Sequence, residues 1–592
     1  MDFFSKDRLR QYEKKFAEVI LRLKSYGPTF TVIVAALIGA VVGLAAVALR
    51  WLIVLSNDYV FMDVGDSFPA AGIHSVSNFF ESGFTASTLL VLLIPGAGLV
   101  VAVFLANRYA VEAKGHGVPE VMSAMARRAG MMRPRVALVK TVVSAICIGS
   151  GGSVGQVGPS VQVGSVLASS IGQTLKMSEN SMKTLVACGS AAGISAIFNA
   201  PITGAIFASE VILGNLGLEN ITPVLIASVV ASAMARIFIG DDPAFLVPPF
   251  ILESPWELIL YCVLGICTGI LATGFTRVFY ILDDVFKSLN VHYVTKALIG
   301  GAIIGVVGIF LPQLFGLGFG TLDKLFSDAS SFSISLIIML CLMKIVLVSV
   351  TLGAGGSGGI YGPSMFIGAF MGCGFGLALH QIAPFEMASA EAYGVAGMAG
   401  FLAGATHAPI QAIFIVFELT GDYHEAIPVV LVCVLSTMTA KRLLKDSIYT
   451  LKNKRRGERI ETGRDMSLLE RVQVADVMER DFPHVTRDTS FVKMLRILYK
   501  SKIDMVPVLD EKGEFYGVVG FQQVRTIIHD ESRQGLIAMD DVTLQNPLTV
   551  TPADSLADVF AEFGMLDANC LPVVSEEDPK KLVGIVTRSS IV

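Results

Sequence analysis

Between residues 30 and 440 the chain carries apolar runs, several about as long as the ~20 residues a helix needs to cross a bilayer core. In lipid every backbone polar group must be satisfied within the protein, so such runs are confined to helices. The clearest spans are 30–54, 85–107, 257–283 and 333–352. Others, 160–175, 183–198, 201–214, 363–382, 393–405 and 409–420, are shorter and broken by Gly and Pro. Composition agrees: 53% of the 592 residues are hydrophobic and only 16% charged, against about a quarter charged in a soluble domain. Residues 452–592 lack these runs and read as ordinary soluble sequence, so the net charge of -5 mixes two unlike parts.

The eight cysteines form no CxxC pair and have no histidine at ligand spacing, which predicts buried apolar thiols and no metal site. No Ser/His/Asp or metal constellation accompanies the apolar core, so an enzyme is not expected. Asp2 to Lys24 reads as a charged amphipathic helix, not a cleavable signal. Basic residues precede the first apolar run (Lys6, Arg8, Arg10, Lys14, Lys15, Arg22, Lys24). Others follow the last (Lys441, Arg442, Lys445, Lys452, Lys454, Arg455, Arg456). Both termini are therefore expected in the cytoplasm, with an even number of crossings.

The broken runs repeat. GSGGSVGQVGPSVQVGS, 149–165, aligns with GAGGSGGIYGPSMFIGA, 353–369, with 9 identities in 17 positions. The same offset pairs Lys140 with Lys344. Downstream, Asn199-Ala-Pro-Ile with Glu210 is echoed by His407-Ala-Pro-Ile with Glu418. A low-complexity glycine tract would not align a lysine, a GPS triplet and an API…E segment in one order, so the chain contains an internal repeat. Short, Gly/Pro-interrupted segments at matching places in two halves point to a site built from discontinuous helices.

Gly353 to Gly358 also fits GxGxxG, but a dinucleotide loop follows a strand, and here a membrane-length apolar run precedes it. The physical reading is a broken helix. Glycines let the backbone leave helical geometry, and Pro159 and Pro363 suit the first turn of a new helix. The free N–H groups there carry partial positive charge and suit an anion. Gly115-His-Gly-Val-Pro119 follows the same grammar. Three such segments aimed at one point would replace an anion's water shell without burying a full positive charge.

With these motifs in view, the sequence resembles the CLC family of chloride channels and chloride/proton antiporters, followed by a pair of CBS domains. The family's GSGIP, GREGP and GxFxP motifs stand here as GHGVP at 115–119, GQVGP at 155–159 and GIYGP at 359–363. Its late tyrosine stands as Tyr449, and Phe417-Glu-Leu-Thr-Gly-Asp-Tyr423 is also similar. The resemblance implies an all-α polytopic membrane domain of inverted repeats and broken helices, then a soluble α/β CBS pair. It implies a homodimer with one anion pathway per subunit. The expected domains are an N-terminal cytoplasmic helix (1–28), the membrane domain (29–450), a linker (451–471) and tandem CBS units (472–592). The expected anion ligands are His116, Gly117, Val118, Gln156, Val157, Gly158, Ile360, Tyr361, Gly362 and Tyr449. Lys140 and Lys344 would add positive potential, and Glu210 and Glu418 would satisfy backbone at helix ends.

Two departures bear on mechanism. The resemblance places the gating glutamate at Val157 and an inner proton-transferring glutamate at Val211. Valine carries no proton, so passive, uncoupled anion flow is expected. The alternatives are an antiporter with atypical proton groups, and a membrane-bound sensor whose CBS pair is the active part. His116 stands where the family has a chloride-coordinating serine. Either its ring donates to the anion and alters preference, toward bicarbonate or nitrate for example, or it turns away. Gln156 replaces an arginine and leaves the outer vestibule less basic. Tyr361 and Tyr449 read as pathway residues or as interfacial anchors. In the CBS pair, the places of the family's ribose-binding acids hold Gln523 and Ser590, so an adenine nucleotide is doubtful and no other cofactor is expected. The expected partners are inorganic anions, membrane lipid and a second copy of the chain, with no nucleic acid. The expected location is the cell's inner (plasma) membrane.

Overall fold

A computed structural model describes residues 28–61, 86–214, 218–240, 254–382, 387–421 and 426–458 of the membrane unit. In the C-terminal unit it describes 472–500, 505–520, 524, 537–545, 547–556, 558–559, 562–563, 570–587 and 590. The expected N-terminal helix, residue 28 apart, and Gln523 lie outside these residues. The chain divides into two compact units, 1–460 and 461–592.

The first half of the membrane unit runs α1 Pro28–Phe61, α2 Ala86–Tyr109, α3 Val118–Arg127, α4 Arg135–Gly149, α5 Val157–Thr174, α6 Glu179–Phe198, α7 Pro201–Phe207 and α8 Leu218–Ile239. The second half runs α9 Glu257–Ser288, α10 Tyr293–Phe310, α11 Phe319–Ser327, α12 Ile334–Gly353, α13 Tyr361–Ile382, α14 Ala390–Thr406, α15 Pro409–Thr420 and α16 Ala426–Leu443. A short α17, Thr450–Arg455, follows. Equivalent helices make equivalent pairs: α5 with α6 and α13 with α14, α6 with α8 and α14 with α16, α1 with α8 and α9 with α16.

The matching API segments explain themselves locally. Asn199 (φ 54°) and His407 (φ 58°) end α6 and α14 in the left-handed conformation, and Pro201 and Pro409 start the next helices two residues later. Among the described residues nine helices are long and apolar enough to cross a membrane. Runs 183–198 and 363–382 are not short elements but parts of 20- and 22-residue helices. Each helix begins among small or polar residues (Glu179 and Asn180, Gly362 and Ser364) that an apolar window clips. Helices Ile221–Ile239, Tyr293–Phe310 and Ala426–Leu443 are further candidates that the apolar-run reading missed. Large apolar side chains stand exposed along the spans, among them Ile33, Leu37, Ile237, Ile270 and Ile281. A helix whose outer face meets hydrocarbon keeps such residues outside.

In the C-terminal unit the two repeats interlock. Strands β1 Val485–Thr486, β2 Met505–Leu509 and β3 Phe515–Gly520 belong to the first repeat, and β4 Leu544–Gln545 of the second completes their sheet. β5 Cys570–Val574 pairs with β6 Leu582–Thr587, and Ile585 of β6 bridges to Glu479 of the first repeat. Each repeat thus lends a segment to the other's last strand. Arg487 of the first repeat grips Asp540 of the second and stacks on Tyr516 at 4.4 Å. This guanidinium holds the Asp540 carboxyl below the usual carboxylate range. At the second expected acid position, Ser590 turns back on Thr587, its hydroxyl donating to the Thr587 carbonyl at 2.8 Å.

Candidate functional site

Glycine-rich breaks precede α3, α5 and α13, and the three breaks meet. Gly155 and Gly359, equivalent by sequence, exchange both backbone hydrogen bonds (2.7 and 2.5 Å). A reciprocal pair between equivalent residues lies on the pseudo-two-fold axis relating the halves. Gly115 joins the cluster by donating to Gly356 O at 2.9 Å and accepting from Gly358 N at 3.3 Å. Gly158 is where all three press together: a methyl group there would sit 2.1 Å from His116 O and 2.9 Å from Gly359 Cα.

Three helices therefore start at one place. Gly117 caps α3 at φ 87°, a conformation that favours glycine, with Pro119 in its first turn. Gln156 caps α5, and Tyr361 opens α13. Among the described residues, no carbonyl accepts from the amides of Gly117, Val118, Val157, Gly158, Ile360, Tyr361 or Gly362. All are buried. Unpaired N–H groups inside a protein are costly; several aimed together at the positive ends of helices form a receptor for negative charge.

Side chains complete the site. His116 is 1% exposed, and neither ring nitrogen has a hydrogen-bond partner among the described residues. Its ring lies 5.8 Å from that of Tyr449 and 5.8 Å, edge-on, from Phe279. Tyr449 is held from both sides: the Tyr280 hydroxyl donates to Ile448 O at 2.7 Å, and Ile448 N donates to Ala405 O at 3.0 Å. The segment after it is clamped by ion pairs. Arg456 donates twice to Glu120 in the first turn of α3 (3.0 and 2.8 Å), Lys452 approaches the same carboxylate at 3.3 Å, and Arg455 donates twice to Asp284. Residues 451–458, the start of the segment expected as linker, are thus part of the membrane unit.

The remaining expected residues are equally specific in placement. Val157 is 1% exposed. Val211 is also buried, within a π-helical turn, Ala208–Leu213, that the second half does not reproduce. Single π turns occur disproportionately at functional sites. Gln156 is buried rather than open to a vestibule, and its Oε1 lacks a partner among the described residues. Tyr361 packs among Phe198 and Phe207, and its hydroxyl donates to Gln411 Oε1 at 2.5 Å. Gln411 was not singled out from the sequence; nothing local marks it, because its partner lies 50 residues away. Lys140 and Lys344 each spend their ammonium on two carbonyls: Ala113 and Gly115 at 3.0 and 2.8 Å, Leu314 and Gly316 at 3.2 and 3.1 Å.

Glu210 and Glu418 exchange caps between the halves. Glu210 accepts from Ile410 N and Gln411 N (3.3 and 2.9 Å) at the start of α15. Glu418 accepts from Ile202 N, Thr203 N and Thr203 Oγ1 (2.8, 2.7 and 2.6 Å) at the start of α7. Glu418→Ala leaves three donors unserved and is expected to lower stability by about 1–3 kcal/mol. Thermal unfolding of the purified protein in detergent checks this, and an unchanged midpoint contradicts it.

Comparison with known proteins agrees with this architecture. The model of the voltage gated chloride channel family matches residues 98–441, and that of the CBS domain matches 474–530 and 539–592. A putative chloride channel protein ClcB-like of Ralstonia nicotianae is 30% identical over 363 residues, 60% of this chain and 84% of that protein. Chloride channel protein CLC-e of Arabidopsis thaliana is 33% identical over 419 residues, 67% of this chain and 57% of that protein. The H(+)/Cl(-) exchange transporter ClcA of Vibrio campbellii is 28% identical over 378 residues, 62% of this chain and 80% of that protein. Among solved structures, a slow cyanobacterial Cl-/H+ antiporter shares the fold with a TM-score of 0.64 at 22% identity, covering 72% of this chain and 97% of that one. A eukaryotic CLC transporter does so with a TM-score of 0.58 at 20% identity, covering 95% and 97%. The breaks that bring three helix starts together at Gly158 lie within a family match spanning more than half of the chain, and the chain therefore belongs to the voltage-gated chloride channel (CLC) family, with a CBS domain pair after its membrane unit.

Proposed function

We propose that the membrane unit is a passive, chloride-type anion pathway not coupled to proton movement. The observation that carries this reading is the pair of buried valines, Val157 and Val211, at the places where the family resemblance puts proton-handling glutamates. Neither side chain binds a proton or competes with an anion as a charge. The ligands proposed are the amides of Gly117, Val118, Val157, Gly158, Ile360, Tyr361 and Gly362, the side chains of His116 and Gln156, and the Tyr449 hydroxyl. Lys140 and Lys344 add positive potential nearby. The pathway works in a homodimer in the cell's inner membrane, with both termini cytoplasmic, and the CBS pair acts structurally without nucleotide. Coupled exchange is the second reading, favoured by relatives and fold neighbours named as H(+)/Cl(-) antiporters; it requires other proton groups.

Flux and reversal potentials in liposomes with chloride, nitrate and bicarbonate test the reading, and absence of anion-selective flux contradicts it. His116 sharpens it. A neutral imidazole offers one ring N–H. His116→Ser is expected to shift the permeability order among chloride, nitrate and bicarbonate. If the order is unchanged, the ring is not a ligand.

A further inference from the structure

The pseudo-two-fold axis exposes a relation absent from the aligned motifs. The loop carrying His116, Ala113 to Val118, has a structural counterpart in Leu314 to Phe319. Gly115 and Gly316 both have positive φ (73° and 55°), as do Gly117 and Gly318 (87° and 77°), and α3 and α11 begin at matching places. Each loop is gripped twice at its first carbonyl. Ala113 O accepts from Lys140 of its own half (3.0 Å) and from Ser357 of the other (2.7 Å). Leu314 O accepts from Lys344 of its own half (3.2 Å) and from Ser153 of the other (2.8 Å). The four gripping side chains are all fully buried. Ser357 has a further neighbour, Ser144, at 2.8 Å; with Ser357 donating to Ala113 O, Ser144 donates to Ser357.

The two clasps are alike in geometry and unlike in what they hold. The first loop presents His116, with two unpartnered ring nitrogens beside Tyr449; the second presents Leu317, which has no polar group. We infer that Ser357 is a positioning residue for the anion pathway: with Lys140 it fixes the His116 loop and thereby sets anion affinity and preference, while its counterpart Ser153 only closes the fold. This rests on the anion-pathway reading. The Ser357 hydroxyl is committed to Ala113 O. It acts through the carbonyl two residues before Gly115, whose own carbonyl Lys140 holds at 2.8 Å. Losing the serine grip lets the loop, and with it His116 and the Gly117 and Val118 amides, shift by the few tenths of an ångström to which a close-packed site is sensitive.

The symmetry supplies the control. Ser357→Ala and Ser153→Ala remove one hydroxyl each, from equally buried sites, and leave the lysine grips intact. In the full-length protein, chloride and nitrate binding is measured by titration calorimetry, and amide hydrogen exchange is followed at residues 113–119 and 314–320. Ser357→Ala is expected to weaken chloride binding about fivefold, one net hydrogen bond's worth. It should also change the chloride-to-nitrate ratio and speed exchange in 113–119, and Ser357→Thr should restore all three. Ser153→Ala should speed exchange in 314–320 and leave anion binding unchanged. Equal binding loss in both variants, or unchanged exchange in 113–119 for Ser357→Ala, overturns the inference. Wild-type protein that binds neither anion instead refutes the pathway reading, and the exchange data still decide whether the clasp exists.

Discussion

Gly158→Ala is expected to cut anion flux by about 10- to 100-fold. The added methyl group would lie 2.1 Å from the His116 carbonyl oxygen and 2.9 Å from Gly359 Cα. Both are backbone atoms of other segments, fixed in turn by the Gly155–Gly359 exchange and the Gly115–Gly356 bond, so no side chain can rotate away. Overpacking of this kind costs about 1–3 kcal/mol, and the cheapest relief is to push the three helix starts apart. That dilutes the convergence of their amides, on which a desolvated anion depends. Gly274→Ala is the matched control. It lies in α9 with open space around it, and its flux should equal that of wild type. Flux in proteoliposomes, normalised to folded protein, checks both; undiminished flux in Gly158→Ala removes the site from this convergence.

Val157→Glu should install a pH-dependent block. Position 157 is the first residue of α5, buried among the free amides. A carboxylate there satisfies the N–H groups that would otherwise receive the anion, and the helix start favours its charged form. Flux at neutral pH is expected to fall at least about tenfold, since a tethered competitor acts at high effective concentration. The sign with pH follows. The charged form blocks, so flux recovers as acidification protonates the carboxyl and stays low as pH rises. With Val211 unchanged, no second proton group is supplied, so the variant should gate with pH without pumping protons. A flux equally low at all pH values would indicate steric obstruction only.

Much of this site is legible in the sequence because its chemistry is backbone chemistry. Glycine followed four residues later by proline is a geometric instruction, and it appears at 115–119, 155–159 and 359–363. The paired lysines were legible by offset, since a buried ammonium in an apolar helix needs a fixed acceptor. The counterpart of the His116 loop was not: 316–320 reads Gly-Leu-Gly-Phe-Gly, with Gly320 where Pro119 stands in the first, and the proline signal is missing. Gln411 and the crossed serine clasps were hidden for another reason. Their partners lie 50, 161 and 244 residues away, and only the fold places them. The extra spans were missed because Pro223, Arg236 and Lys296 interrupt apolar runs that packing and helix ends tolerate. The valines at 157 and 211 were visible, but their significance comes from the family pattern and not from any property of valine.

Anions are proposed to cross this protein without driving protons. The direct measurement follows external pH while an imposed chloride gradient runs down across tightly sealed liposomes containing the full-length protein, with and without a potassium ionophore to fix the voltage. Uncoupled flow gives anion efflux with no uphill proton movement at any fixed voltage. Sustained proton transport against its own gradient, abolished by removing chloride, would contradict it.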